Sequence, residues 1–281
     1  MWVGGSCILH LGSCIWLGWR AGYTVPMAKK KVDPTTCPLC DGTGWFLTQE
    51  EGVELVRRCE CAEGSMRERL LEQAGIPARY RHCTLESFDT KWYEDTPGLS
   101  DDPTLGKARN AVQEFIDLYP AGDKGLLLMG KVGTGKTHLA VAALQQIMRE
   151  KTPPVRGRFA DFTALVLEIQ MTFDGPGSSR EILHPLIQAD LLVLDELGAG
   201  KTTPWVMDLL YYLVNTRYLE DRVTVFTTNF FDKADGIKES LADRVSVRIR
   251  SRLHEMCRCI MFYGYDYRAE RLASREGGLR L

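Results

Sequence analysis

The sequence has no excess of either charge. Lys+Arg 35 against Asp+Glu 37 leaves a net charge of −2, which excludes a histone-like polycation but leaves local basic patches open. It has no internal repeat and no low-complexity tract, so repeat arrays and disordered tails are excluded as its main architecture. Histidine is scarce, five in 281 residues, and the five offer no convincing triad or metal cluster. No uninterrupted apolar run reaches the roughly 20 residues of a membrane helix. The most apolar stretch, residues 1–19, lacks Asp, Glu, Lys and Arg but is broken by glycines. It also lacks the positive opening of a signal peptide, because the first basic residue is Arg20. Leu11-Gly12-Ser13-Cys14 resembles a lipoprotein cleavage box without that opening. Met27-Ala28-Lys29-Lys30-Lys31 looks like a natural start, so residues 1–26 are expected to be a mis-called N-terminal extension, and no membrane association is expected.

The remaining composition is that of an ordinary globular protein, 44% hydrophobic and 26% charged. A chain of this length buries about 70% of its unfolded surface, so its core needs no disulfides. Nine cysteines are an odd number, and four of them crowd together as Cys37-x2-Cys40 and Cys59-x-Cys61. Secreted disulfide frameworks are short and evenly paired; this pattern points instead to a metal site in a reducing compartment, the cytoplasm. Four thiolates suit tetrahedral zinc, and Gly42 and Gly44 suit the tight turns of a zinc knuckle. The second half is C-x-C rather than C-x-x-C. A redox-active pair, or ligands from Cys257-x-Cys259, are the rival readings. Cys257 and Cys259 open a strand and are assigned to core packing, as is Cys83. Trp45, Phe46 and Trp92 can stack on bases or form the local core of a small module, and nothing is claimed for them.

Four segments are expected: an extension over 1–26, a zinc-binding module over 27–64, a helix and linker over 65–106, and an ATPase domain over 107–281. Ser65 to Gly75 reads as a short helix with Ser65 as N-cap and Glu68 completing a capping box. Residues 86–104, acidic and holding Pro97 and Pro103, read as a surface connection. From about residue 107 strands alternate with helices, the pattern of a parallel sheet. The strands expected are Gly125–Met129, Gly157–Asp161, Leu191–Asp195, Val223–Thr228 and Cys259–Tyr263, with helices near 136–150, 162–173, 204–219 and 234–243. Leu126 to Met129, Leu191 to Leu194 and Val223 to Phe226 are apolar without alternation, which suits strands buried on both faces.

Gly130-Lys131-Val132-Gly133-Thr134-Gly135-Lys136-Thr137 fits G-x-x-x-x-G-K-[ST] in full, with a strand before and a helix after. Glycines let backbone N–H groups turn toward phosphate oxygens, and the following helix aims its positive end at them. Lys136 would neutralise the β- and γ-phosphates of ATP, and the Thr137 hydroxyl would bind Mg²⁺. The run Leu191 to Leu194 leads into Asp195 and Glu196 at a strand tip, placed to hold Mg²⁺ through water and to polarise an attacking water. Val225-Phe226-Thr227-Thr228 ends in Asn229, which can orient that water or contact the γ-phosphate; asparagine also starts turns. His138, directly after Thr137, is counted with the nucleotide-binding run, although packing on the helix suits it better than chemistry.

In this order and spacing the motifs resemble the AAA+ ATPases, and more narrowly the DnaC/DnaI helicase loaders and the IstB-type transposition ATPases. The resemblance runs from about Cys37 to Arg268. It is carried by Gly75-Ile76-Pro77-Ala78-Arg79-Tyr80 with Phe88-Asp89, by Gly135 to Ala140, by Leu194-Asp195-Glu196-Leu197-Gly198, by Ser251-Arg252-Leu253 and by Tyr265-Asp266-Tyr267-Arg268. It implies an α/β fold with a five-stranded parallel sheet. Only 17 residues follow Gly264, too few for the usual C-terminal helical lid, which these two families lack. Arg268 then substitutes for the lid's sensor arginine. Arg244, Arg248 and Arg252 share one helical face by spacing. The resemblance makes Arg252, with Arg248 as runner-up, the finger that reaches a neighbouring subunit's ATP. A solvated basic face or a DNA phosphate contact is the alternative.

The function implied is ATP-hydrolysing loading of a DnaB-type replicative helicase onto single-stranded DNA by a nucleotide-dependent homo-oligomer. The alternative is an IstB-like helper of a DNA transposase, which usually carries a metal-free helical segment at its front end. A small-molecule kinase would leave Glu196, Asn229 and Arg252 together without a role. A non-hydrolysing adaptor is disfavoured by intact Lys136, Thr137, Asp195 and Glu196.

Overall fold

The computed structural model describes residues 37–50, 53–91, 103–122, 124–173, 178–232 and 239–270. The extension over 1–26, Trp92 and the expected helix up to residue 238 lie outside them. The chain opens with a two-stranded antiparallel hairpin, β1 (Trp45–Glu50) and β2 (Val53–Arg58), in register Trp45↔Arg58 to Glu50↔Val53. Helix α1 (Glu60–Gln73) follows, then a 3-10 turn at Ala78–Tyr80 and helix α2 (Pro103–Leu118).

The remaining elements in chain order are β3 (Gly125–Gly130), α3 (Lys136–Glu150), β4 (Gly157–Asp161), α4 (Phe162–Met171), α5 (Ser179–Ile187), β5 (Leu191–Asp195), α6 (Pro204–Leu219), β6 (Val223–Thr228), α7 (Leu241–Val245), α8 (Val247–Met256) and β7 (Cys257–Phe262). The five strands β3 to β7 form one sheet in the order β4-β5-β6-β3-β7, parallel throughout. Every residue of β3 and β5 is buried, as their unbroken apolar runs require when helices cover both faces. One core lies between the sheet and α2 and α3, built on Leu126, Leu128, Val193 and Val225. The other lies on the opposite face under α4, α5, α6 and α8, built on Leu127, Leu192, Leu194 and Phe226.

A buried arginine ties the second layer to the sheet. Arg217 on α6 is 1% exposed. Its guanidinium donates to the carbonyls of Leu186, Ile187 and Ala189 at the end of α5, to Val223 O, and to Thr224 Oγ1. Burial pulls its pKa below the usual arginine range.

Several expectations need correction. Helix α1 starts at Glu60, with Cys59 as N-cap, so Ser65 lies inside it and donates its hydroxyl back to Cys61 O; the cysteine pair itself begins the helix. Residues 86–91 are not a free surface connection, because Phe88 is buried against the phosphate loop. The arginine run is not one helix: Ser246, at φ 74°, separates α7 from α8. Arg244 therefore lies on α7, where it donates to Gly198 O (2.8 Å) and Gly200 O and covers the Phe230 ring. Strand β7 starts two residues early, at Cys257. That residue is buried as expected, whereas Cys259 is exposed because β7 is an edge strand. Helices α2 and α5 were not foreseen, and α8 was foreseen only through the spacing of its arginines. Among the described residues no helix is long and apolar enough to cross a membrane.

Candidate functional site

The carboxyl ends of β3, β5 and β6 stand side by side, and ligands of open parallel sheets bind at such an edge. A cleft of about 430 Å³ opens there. Its floor is Val132 to His138, with Glu196, Thr227 and Asn229 on one side, Arg79, Tyr80, Phe88, Asp89 and Leu105 on another, and Tyr267 and Arg268 closing it.

Two glycines of the loop are there for close approach as well as for their turn. A Cβ on Gly133 (φ +77°) would fall 1.8 Å from Asp266 Oδ1, and one on Gly135 (φ +91°) would fall 2.5 Å from the Phe88 ring. The loop is thus gripped from both sides. Tyr267 N–H donates to Gly133 O (3.2 Å), and Asp266 Oδ1 accepts from the Arg268 and Ala269 N–H groups. This places Arg268 at the cleft by a turn anchored on the loop itself.

Lys136 is 6% exposed, and its ammonium donates to Gly130 O (2.9 Å) and Lys131 O (2.6 Å). Burial brings its pKa down to about 8, against the pull of Asp195. Thr137 Oγ1 donates to Asp195 Oδ1 (2.9 Å), as does Thr227 Oγ1. Asp195 is 3% exposed. Burial raises its pKa even though both hydroxyls stabilise its anion. Glu196 turns out of the strand at φ 57°, its N–H donating to Thr227 Oγ1 (3.0 Å). Burial first, then Asp161 and Asp195, raise its pKa, while Arg268 and Lys136 oppose. Glu196 is thus the exposed carboxylate facing the cleft and Asp195 the buried one beside Thr137, a division that suits a base and a metal-holding acid.

His138 lines the cleft, and its ring is engaged by the segment beside the loop. Its Nε2 lies 2.9 Å from Thr84 O and 3.1 Å from Ser87 Oγ, and its ring meets Phe88 edge-on; it pins the 84–88 segment onto α3. Arg248 and Arg252 lie on α8, away from the residues lining this cleft. The Arg252 guanidinium rests on the rings of Tyr211 and Tyr218, 5.1 and 5.5 Å from their centroids.

Sequence reasoning missed Thr227, whose hydroxyl serves both acids; its one signal is a polar residue in a run otherwise read as buried strand. It also assigned no role to Tyr80, Phe88 or Leu105, which have no periodicity to betray that they face the loop.

A family model described as IstB-like ATP binding protein matches residues 48–272. The chain belongs to that family. Its relatives include the phage-like element PBSX protein XkdC of Bacillus subtilis (strain 168), 25% identical over 226 residues, 79% of each chain. The replicative helicase loader DnaC of Escherichia coli (strain K12) is 27% identical over 184 residues, 65% of this chain and 69% of the loader. A crystal structure of the DnaC helicase loader superimposes with a TM-score of 0.55 at 28% identity, covering 66% of this chain and 99% of that one. ATP binding and an AAA+ fold follow from this membership. The family match starts after Cys37 and Cys40.

The four cysteines form a second site. The Sγ atoms of Cys37, Cys40, Cys59 and Cys61 all lie within 4.8 Å of one another, with Cys37–Cys59 at 3.6 Å and Cys40–Cys61 at 3.4 Å. Tetrahedral zinc at about 2.3 Å from each sulfur separates the sulfurs by about 3.8 Å, so the donor set fits. The C-x-C spacing works because Cys59 caps α1 while Cys61 sits in its first turn. The Leu39 amide lowers the Cys37 thiol to about 7, whereas burial and the neighbouring thiols push Cys61 far up. A divalent cation is what allows all four to ionise together.

Proposed function

We propose that the protein is an ATP-hydrolysing switch that loads a DnaB-type replicative helicase onto single-stranded DNA, working as a nucleotide-dependent homo-oligomer. Lys136 neutralises the β- and γ-phosphates, and Gly130 to Thr137 wrap them. Thr137 and Asp195 hold Mg²⁺, which supplies charge neutralisation on the phosphates. Glu196 takes the proton of the attacking water, Asn229 orients that water, and Arg268 contributes positive charge from the same chain. Arg252 supplies it from the neighbouring protomer. Arg252 does not line its own cleft, as an arginine acting across an interface requires.

The observation that carries the loader reading is the join between the two sites. The zinc module, taken as residues 27–64, ends in α1, which continues into the connecting segment 65–106 and packs on α3, the helix that starts at the phosphate loop. Leu70 and Leu71 pack on the core that includes Leu139 and Leu144. Arg67 donates to Thr152 Oγ1 (2.7 Å) and Lys151 O (3.3 Å) just past α3. A partner held by the module is therefore one rigid element away from the ATP loop of the ATPase domain, 107–281. That arrangement fits release of a helicase on nucleotide turnover better than the metal-free front end of a transposase helper.

The test is co-purification with the same host's replicative helicase in ATP and in ADP, beside Lys136→Ala and Cys37→Ser/Cys40→Ser proteins. A nucleotide-sensitive complex that the cysteine variant loses is expected. No complex in any nucleotide state, from a protein that binds zinc and ATP, overturns the loader in favour of the transposase helper.

A further inference from the structure

Four residues leave the end of β6, and each is engaged differently. Asn229 lines the ATP cleft. Phe230 lies under the Arg244 guanidinium. Phe231 stacks on Tyr263 at 6.0 Å, with its carbonyl accepting from Leu241 N–H. Asp232 faces α8, and both its oxygens are taken. Oδ1 accepts from Arg250 Nε and Oδ2 from Arg250 Nη2, each at 2.5 Å, and His254 Nε2 lies 2.8 Å from Oδ1. His254 Nδ1 in turn lies 3.5 Å from Cys259 Sγ.

Helix α8 thereby carries three stripes. Ile249 and Leu253 are buried in the core. Arg250 and His254, four residues apart, close on Asp232. The third stripe holds Arg248 and Arg252, also four apart, of which Arg252 rests on Tyr211 and Tyr218 of α6. The helix starts after a left-handed residue, Ser246, and its ten residues run straight into β7. A bidentate arginine–carboxylate pair fixes orientation as well as distance. Arg250, with His254 beside it, holds the Asp232 carboxyl down to about 2, so the Arg250–Asp232 pair stays charged near neutral pH.

We propose that Asp232 is a positioning residue: by clamping Arg250 and His254 it sets the rotation of α8 and keeps Arg252, which rests on Tyr211 and Tyr218 in this protomer, on the face from which it leaves those rings for the γ-phosphate held by a neighbouring protomer. Because Asn229 is three residues upstream on the same segment, the clamp also ties that projection to the state of the protomer's own cleft. The proposal rests on Arg252 acting across the interface.

The test is a subunit-mixing experiment on ATP turnover. Asp232→Asn alone should lower turnover roughly tenfold or more, a part of the effect of losing an arginine finger, with ATP affinity within about twofold of the parent. Glu196→Gln protomers cannot turn over their own ATP but keep an intact α8. Added to Asp232→Asn protomers, they should restore turnover, because the intact cleft of one now meets the correctly placed Arg252 of the other. Arg250→Gln breaks the clamp from the opposite side, should behave identically, and carries the test if the Asp232 variant does not fold. Arg252→Ala with Glu196→Gln is the control on the underlying reading. If that mixture fails to recover, Arg252 does not act in trans, and the finger reading falls together with the proposal. If it recovers while neither Asp232→Asn nor Arg250→Gln does, the finger stands and the positioning role is overturned, because the clamp then acts on its own cleft through Asn229.

Discussion

Stripping the metal from the four-cysteine site should unfold one end of the molecule and stop at a definable place. The hairpin has almost no apolar core. All six β2 residues are exposed, as are Trp45 and Leu47 on β1. What is enclosed is Cys37, Cys40 and Cys59, with Phe46 and Cys61 half-buried against them. Burying one phenylalanine contributes about 2 kcal/mol, and a lone two-stranded hairpin is marginal in water. A structural zinc contributes on the order of 10 kcal/mol or more, so the metal dominates by a factor of several. Downstream the balance reverses. Leu70 and Leu71 are held by the main core, Arg67 by Thr152 and Lys151, and the end of α1 by the hydrogen bond from Phe159 N–H to Ala74 O (2.7 Å). Chelation should therefore melt residues 37–61 and leave 67–74 folded. Hydrogen exchange read by mass spectrometry, with and without a zinc chelator, should show protection lost across both hairpin strands and kept from Arg67 onward, with ATP affinity unchanged. Full protection of the hairpin in metal-free protein would refute the reasoning, as would collapse of ATP binding along with it.

Three further outcomes follow from the charged groups of the core and the cleft. Lys136→Met should abolish ATP binding while raising the stability of the nucleotide-free protein near pH 7. Burial depresses this amine from 10.5 to about 8, a cost of about 3 kcal/mol partly offset by its two hydrogen bonds. In the parent that cost fades as pH rises from 8 toward 10.5, where the unfolded chain binds the extra proton, so the variant's advantage in thermal melts should shrink by pH 10; a constant advantage would contradict the assignment. Arg217→Met should lose about 3–5 kcal/mol in urea melts, because it orphans buried carbonyls at the end of α5 and the start of β6; a loss under about 1 kcal/mol would show that those carbonyls find other donors. Glu196→Gln should keep ATP binding and lower turnover roughly 100-fold or more. The acid limb of the parent's pH–rate profile should sit above the ordinary glutamate range, as the raised pKa of Glu196 requires, and a limb at the free value would remove Glu196 as the base.

The sheet was legible because β3 and β5 carry unbroken apolar runs, and burial on both faces demands that composition, while β6 shows Val223, Val225 and Phe226 around Thr224. The phosphate loop was legible because its glycines and Lys136 answer local constraints, the left-handed turns at Gly133 and Gly135 among them. Three things were not. The start of α1 was misread because Cys59 makes no side-chain cap hydrogen bond, while Ser65 and Glu68 imitate a capping box inside the helix. The arginine run was misread as one face because spacing cannot show the break at Ser246. The clamp on α8 depends on Asp232, 18 residues from Arg250 and on a different element. Pairing at that distance is a property of the packed chain and leaves no periodicity to find.

Helix α1 has one end in the thiolate cluster and the other against α3 and β4, and its 14 residues span about 21 Å. Because each helical residue turns the chain by about 100°, the number of residues between Cys61 and Leu70 sets the compass bearing of the hairpin about the helix axis as well as its reach. One residue added there would leave both ends chemically intact and swing the exposed Trp45 and Leu47 surface through more than a quarter-turn. The length of that helix is in this sense an address, and a partner that reads the hairpin and the ATP cleft together is sensitive to it in whole residues.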